Sequence, residues 1–156
     1  DGIRDSSTSR GLGDVYKRQF FDVVSVGNPH AVIFNYDQQI NVPEVGAALQ
    51  NSGIFKFGVN VGFANCISDS EINLRVVERG VGETQACGSG ACAAAIIGNK
   101  VRNLSNKMKV NFNNGFLETE TDLSSGKVSL TGNANYRAQA IELKVYILVQ
   151  QTLLLQ

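Results

Sequence analysis

The chain has 156 residues, of which 43% are hydrophobic and 18% are charged, and its 14 basic side chains balance 14 acidic ones. This length and composition predict one globular domain, and zero net charge without a basic block argues against a nucleic-acid or anionic-membrane partner. No apolar run approaches the roughly 20 residues that cross a bilayer, and three cysteines in a domain of this size favour reduced thiols over a disulfide scaffold. We therefore expect a cytoplasmic protein without a membrane partner.

The two ends of the chain lack the patterns of its middle. Residues 1–19 show neither helical nor strand periodicity and carry a Ser/Thr cluster, so we interpret them as a non-native linker or adapter. We place the folded domain at residues 20–142. Residues 143–156 lose the alternation and turn leucine-rich, so we treat them as an uncertain tail.

Between these ends the pattern predicts an α+β fold. A first helix is predicted to start at Asn41, where Asn caps, Pro43 suits the first turn and Glu44 follows three residues after the cap, and to end near residues 51–53. Apolar alternation and turn signals predict the strands, which are Phe20–Val26, Ala31–Asn35, the hairpin Val59–Ser68 and Glu71–Glu78, Met108–Phe112, Phe116–Thr121 and Lys127–Thr131.

A second helix is predicted at Gly88–Asn99. It opens with Gly-Ser-Gly, is rich in alanine and closes at Gly98-Asn99, which is typical of a tightly packed buried helix. We expect a mostly antiparallel sheet wrapped around this central helix.

The densest cluster of reactive residues leads from a strand into the second helix. Cys87 stands at the predicted helix N-terminus, where free N–H groups and the helix dipole stabilise a thiolate and lower the thiol pKa. Gly88 and Ser89 leave their N–H groups open to a carboxylate. We interpret Cys66 and Cys92 as small buried hydrophobic residues; the cysteine spacing matches no zinc site, so we predict no metal.

Several polar residues stand near turns, and each allows two interpretations. His30 is the only histidine, and in Gly27-Asn28-Pro29-His30 it is either a mechanistic base or simply exposed, while Asn28 either initiates the turn or binds a ligand. Asn60 caps a turn or reaches into a cleft. Arg79 forms a surface ion pair with Glu78 or clamps a carboxylate.

Together, Ser25–His30, Gly58–Val61 and Glu78–Cys92 closely resemble diaminopimelate epimerase in residue type, order and spacing. The resemblance covers about residues 20–140 and corresponds to the C-terminal half of that enzyme. It implies an isomerase of lysine biosynthesis that converts LL- to meso-diaminopimelate by two-base thiolate/thiol proton transfer, without pyridoxal phosphate or another cofactor. It also implies two similar domains related by a pseudo-two-fold axis.

The resemblance implies a role for each candidate residue. Cys87 is one of two catalytic cysteines, and His30 and Glu78 assist proton movement. Glu78 also holds the reacting amino group, and the Gly88 and Ser89 N–H groups stabilise the reacting carboxylate. The distal carboxylate and amine are held by three residues, Asn28, Asn60 and Arg79.

One departure from the family limits this expectation. The second catalytic cysteine of the family lies in a Cys-Gly-Asn-Gly type segment, which this sequence lacks. We therefore expect one catalytic half that is completed by the missing N-terminal domain or by a second copy in a homodimer. The alternatives are a related cofactor-independent racemase, such as one acting on proline or hydroxyproline, and a module that binds an amino acid without chemistry.

Overall fold

The structure is a computed structural model that describes residues 20–136 and 139–148. The predicted linker at residues 1–19 and the end of the predicted tail lie outside the described residues. The described elements, in chain order, are β1 Asp22–Ser25, β2 Pro29–Phe34, α1 Val42–Gln50, β3 Asn60–Cys66, β4 Glu71–Glu78, β5 Gly82–Thr84, α2 Gly88–Arg102, β6 Lys107–Phe112, β7 Gly115–Asp122, β8 Lys127–Tyr136 and β9 Gln139–Leu148.

The described strands form one mixed sheet, so the fold is α+β. Their order is β1-β2-β3-β4-β6-β7-β8-β9, and β5 pairs with β4 beside this path. Two pairs, β2 with β3 and β4 with β6, are parallel, and the other described pairs are antiparallel. Parallel neighbours need a crossover connection, and α1 and α2 lie in the two that this sheet requires.

Helix α1 forms as its sequence predicts. The Asn41 side chain accepts a hydrogen bond from the Glu44 N–H at 3.4 Å, and Asn51 ends the helix. Its buried face, which includes Val42 and Leu49, belongs to a cluster with strand residues such as Phe63. Helix α1 therefore covers one face of β2, β3 and β4.

Helix α2 is buried from Gly90 to Gly98 and contacts strands on both sides of β4. Its predicted end at Gly98-Asn99 is wrong, because the helix continues to Arg102. Gly98 is instead a close-packing position, since a Cβ there would lie 3.0 Å from Leu104 Cδ1. The helix stops at Asn103, whose left-handed φ of 56° terminates the hydrogen-bond pattern.

Two strands were not expected from the sequence, and one turn is shorter than predicted. Strand β5 has only three residues, and β9 pairs with β8 along its length, so the predicted boundary after residue 142 falls inside a strand. Pro29 and His30 belong to β2 rather than to the turn, because they pair with β1.

Candidate active site

A polar pocket of about 180 Å³ lies near the starts of β2 and β3 and the end of β4. It is lined by Asn28, Pro29, Gly58, Val59, Asn60, Glu78 and Arg79. Four of these were predicted as site residues, and they are far apart in sequence. The sheet brings them together because β3 pairs with both β2 and β4.

His30 lies directly behind this pocket and is fully buried, so the interpretation of an exposed turn residue is wrong. It pairs with Asn60 across the parallel β2 and β3 strands. Its Nε2 lies 3.3 Å from Asn28 Oδ1 and 3.4 Å from Asn60 Nδ2. Burial lowers the pKa of His30 to about 4, so the ring is neutral at neutral pH. The hydrogen-bond partners of His30 are therefore the two asparagines rather than Cys87.

Asn60 and Arg79 are held by each other and by neighbouring backbone. The Arg79 backbone N–H donates to Asn60 Oδ1 at 2.9 Å, and the Arg79 guanidinium donates to the Phe57 carbonyl. Within the described residues, Glu78 and Arg79 form no ion pair with each other, so the surface-pair interpretation is wrong. Arg79 instead lines the pocket.

Two supporting residues were missed from the sequence. Gly58 has a left-handed φ of +77°, which favours glycine. A Cβ there would overlap the Arg79 side chain, so the glycine also leaves room for Arg79 to pack against the backbone. Thr84 on β5 donates its hydroxyl to Glu78 Oε1 at 2.6 Å. Gly58, two residues before Asn60, was a usable signal, but nothing local indicated that β5 folds back on β4.

Cys87 caps α2, but its pKa is raised, which contradicts the predicted lowering. Its Sγ accepts a hydrogen bond from the Gly90 N–H at 3.3 Å and lies 3.5 Å from Ser89 Oγ, and both contacts lower the pKa. Burial is the largest influence and outweighs them, and the negative charge of Glu78 raises the pKa further. The helix terminus alone therefore does not produce a thiolate.

Glu78 links Cys87 to the pocket. Glu78 lines the pocket, and its negative charge also raises the pKa of the Cys87 thiol. The predicted N–H donors, Gly88 and Ser89, begin the helix beside the sulfur. This arrangement places a proton-carrying thiol, a carboxylate acceptor and several N–H donors within one small region.

The other two cysteines do not line the pocket. Cys92 is buried in α2, as predicted, and burial with the nearby Cys87 raises its pKa to about 12. Cys66 is exposed at the end of β3, so its interpretation as a buried residue is wrong. The described part of the chain contains no group of three or more His, Cys, Asp or Glu side chains that could hold a metal ion. No helix among the described residues is long and apolar enough to span a membrane.

Two solved structures resemble this fold. A phenazine biosynthesis protein of the PhzF family from Enterococcus faecalis superposes with a TM-score of 0.53 at 19% identity, covering 71% of this chain and 42% of that one. A probable proline racemase from Agrobacterium radiobacter K84 gives a TM-score of 0.50 at 12% identity, covering 82% and 48%. At these identities the likeness concerns the fold alone.

Sequence comparison is more specific. The diaminopimelate epimerase of Buchnera aphidicola subsp. Baizongia pistaciae is 45% identical over 115 residues, which are 73% of this chain and 40% of that protein. The chain therefore spans about two fifths of the length of this curated relative. The family model for diaminopimelate epimerase matches residues 22–137. The chain belongs to the diaminopimelate epimerase family.

Proposed function

We propose that this chain carries the C-terminal catalytic half of a diaminopimelate epimerase, an isomerase of lysine biosynthesis that converts the LL to the meso isomer. The observation that carries the proposal is the site itself. Glu78 lines a polar pocket with Asn28, Asn60 and Arg79 and also acts on the Cys87 thiol at the start of α2. A small amino acid with a second polar end needs a proton-transferring group such as the thiol at one end and a polar pocket at the other.

The chemistry requires one proton-transferring group on each face of the α-carbon. One group removes the α-proton while the other delivers a proton from the opposite side, which inverts the centre without a cofactor. Cys87 supplies one of the two groups. Cys66 is exposed at a strand end and Cys92 is buried in α2, so neither is suited to face the same carbon. The second group comes from the remaining part of the family's protein, or from a second copy of this chain.

Cys87 acts as the proton donor when substrate first binds. Its raised pKa keeps the sulfur protonated near neutral pH, and the negative charge of Glu78 favours the protonated form. A thiol that already carries its proton delivers it to the carbanion that forms on the opposite face. In the reverse reaction the resulting thiolate removes the proton, and Glu78 then disfavours the negative sulfur.

The two ends of the substrate bind to different groups. The Gly88 and Ser89 N–H groups at the start of α2 bind the reacting carboxylate, where negative charge grows in the transition state. Asn28, Asn60 and Arg79 bind the distal end in the pocket. Holding the distal end determines which of the two stereocentres reaches Cys87.

The same proposal extends to the architecture. Residues 20–142 form the catalytic domain of a cytoplasmic enzyme, with β9 continuing past that boundary, and α2 is the central helix around which the sheet wraps. In the family this domain faces a similar N-terminal domain. A homodimer that brings two copies of Cys87 to one substrate is the competing arrangement.

A chimera tests the proposal most sharply. Residues 22–137 of this chain replace the matching segment of the Buchnera relative, which supplies the remaining part of the protein. We expect the chimera to epimerise LL-diaminopimelate and to exchange its α-proton in deuterated water, as followed by NMR. The Cys87→Ala chimera is the matched control and is expected to do neither.

A folded chimera without epimerisation or exchange would contradict the proposed function. The chain alone provides a second comparison. It is expected to bind diaminopimelate with little exchange, because one proton-transferring group is missing. Exchange by the chain alone that depends on Cys87 would support the homodimer, and binding without chemistry in the chimera would support a binding module.

A further inference from the structure

A second cavity, of about 170 Å³, lies between α2 and the hairpin that joins β7 to β8. Among its lining residues are Ile96 and Lys100 of the helix and Thr121, Asp122, Leu123 and Lys127 of the hairpin. None of them lines the pocket near Cys87, and Lys100 follows Cys87 by 13 residues, about 20 Å along the helix axis. This cavity is therefore separate from the candidate active site.

Thr121 brings a buried hydroxyl without a hydrogen-bond partner to the cavity. It shares a buried face of β7 with Thr119, whose hydroxyl donates to the Met108 carbonyl at 3.2 Å. Thr121 is only 4% exposed, and within the part of the chain that the structure describes its Oγ1 has no partner. Leaving a buried hydroxyl without a hydrogen bond costs free energy, so its position at a cavity points to a ligand atom that completes the bond.

The charges around the cavity favour an anion. Lys100 and Lys127 line it from the helix and from the hairpin, and neither forms an ion pair with another described residue. The Asp122 carboxylate is engaged by its own turn, because Oδ1 accepts from the Ser124 hydroxyl at 2.5 Å and Oδ2 from the Ser125 hydroxyl at 2.6 Å. The three charged side chains together leave one net positive charge, which complements a ligand with a single negative charge.

The cavity also has an apolar wall. Ile96 is buried in α2, and Leu123 is 47% exposed at the hairpin turn. An inorganic anion would leave these two side chains without contact, whereas a short aliphatic chain would cover them and gain from its own burial. At roughly 30 Å³ per water molecule, the cavity has room for about six non-hydrogen atoms. A ligand of this size combines one carboxylate with a short alkyl chain.

We propose that the cavity between α2 and the β7–β8 hairpin is a second binding site, which takes a short aliphatic monocarboxylate of the size of butyrate. Lys100 and Lys127 attract the carboxylate, and the Thr121 hydroxyl donates to one of its oxygens. The alkyl chain packs against Ile96 and Leu123. The second site shares no residue with the site around Cys87, so it stands apart from the proposed function.

NMR titration of the full chain with three probes tests the class of ligand. The probes are butyrate, butyramide, which has the same size but no charge, and inorganic phosphate, which has charge but no alkyl chain. We expect butyrate to shift the backbone amide signals of Thr121 and Lys127 and to bind at least about tenfold more tightly than either other probe. A smaller preference over butyramide or phosphate, or no shift with any probe, would overturn the inference.

Thr121→Val tests the role of the buried hydroxyl, because valine keeps the shape of threonine and removes only the polar group. Butyrate binding is expected to weaken at least about fivefold. The urea midpoint of the unliganded chain should stay the same or rise, since an unpartnered polar group leaves the interior. Thr119→Val is the matched control, which loses the bond to Met108 and should lower the midpoint without changing butyrate binding. Unchanged butyrate binding in Thr121→Val, or an equal loss in Thr119→Val, would overturn the inference.

Lys127→Gln keeps the test decisive if Thr121→Val does not fold, because Lys127 is exposed. The substitution removes one positive charge from the cavity, so butyrate binding is expected to fall at least about fivefold. Lys107→Gln, at an exposed position on β6 outside the cavity, is the control and should leave binding unchanged. Equal butyrate binding in the parent chain and in Lys127→Gln would overturn the inference. Failure of the chimera to epimerise would count against the proposed function and would leave these results unaffected.

Discussion

The two ends of helix α2 are built differently. At its C-terminal end Lys100 and Arg102 complement the helix dipole, and Asn103 closes the helix in a left-handed conformation. At its N-terminal end the cap is Cys87, whose sulfur is a weak hydrogen-bond acceptor, and the first turn contains no acidic residue. One end uses the residues that stabilise a helix, and the other does without them.

The difference indicates which end serves function. A Ser, Thr, Asp or Asn cap would stabilise the N-terminus by about 1 kcal/mol relative to a poor cap. The chain instead places a thiol there, next to Glu78 and a polar pocket. Substitutions at the N-terminal end should therefore change chemistry and binding, and substitutions at the C-terminal end should change stability but not epimerisation.

The largest effect is expected for Cys87→Ser. The hydroxyl retains the cap and is the better acceptor, so the free energy of unfolding of the chain should stay the same or rise by about 1 kcal/mol. Epimerisation by the chimera should fall at least about 100-fold, because a hydroxyl is too weak an acid to exchange protons as a thiol does. Urea unfolding and NMR-detected exchange measure the two quantities. Cys66→Ser, at an exposed position, is the control and should change neither.

The pH dependence of stability should report the buried His30, which contacts the pocket residues Asn28 and Asn60. The pKa of His30 is about 4 in the folded chain and about 6.5 when unfolded, so between these values the unfolded chain binds a proton that the folded chain does not. Stability should therefore fall by about 3 kcal/mol as the pH drops from 6.5 to 4. Urea unfolding of the parent and of His30→Gln measures the difference; equal slopes in the two chains would contradict the assignment.

Gly58→Ala should strain the backbone and also displace Arg79 from its position in the pocket. Gly58 and Gly53 both have left-handed φ values, +77° and +79°, so alanine strains either position by about 1 kcal/mol. Only at Gly58 would the new Cβ overlap Arg79, and nothing lies within 4 Å of one at Gly53. We expect Gly58→Ala to cost about 1 kcal/mol more in stability and to weaken diaminopimelate binding, as measured by NMR titration. Equal effects of the two substitutions would show that Arg79 moves aside freely.

Arg102→Ala should have the smallest effect and should concern stability only. The arginine pairs with Asp22 at 2.9 Å and lies 5.6 Å from the centre of the Phe34 ring, at the end of α2 remote from Cys87. We expect a loss of about 1 kcal/mol in the free energy of unfolding and no change in ligand affinity. Lys107→Ala removes a longer, more exposed ion pair of 3.7 Å and is the control, with a smaller loss expected.

Local features were predictable from the sequence. The Asn41 cap of α1 and the alternation of Ile72, Leu74 and Val76 along β4 each depend on neighbouring residues, and the structure has them as predicted. The ends of elements were less predictable. Gly98 suggested a helix end, whereas the structure uses its missing side chain to admit Leu104.

Features that depend on distant residues were predicted poorly. The pKa of Cys87 was expected to fall because the helix terminus is visible in the sequence, but the burial and the carboxylate of Glu78 that outweigh it come from the fold. His30 was placed in a turn because Asn-Pro precedes it, and only the pairing of β2 with β1 and β3 buries it. The same pairing assembles the pocket.

The protonation of the Cys87 thiol can be titrated directly. In the Cys66→Ser chain, ¹³Cβ-labelled cysteine would report the Cys87 thiol by NMR, with Cys92 titrating separately near 12. We predict a midpoint above the ordinary 9.0 for Cys87, and a lower midpoint in Glu78→Gln, which removes the negative charge beside the sulfur. A midpoint below 9.0 in the parent chain, or no shift in Glu78→Gln, would contradict the role of Cys87 as a thiol whose protonated form is favoured by burial and by the charge of Glu78.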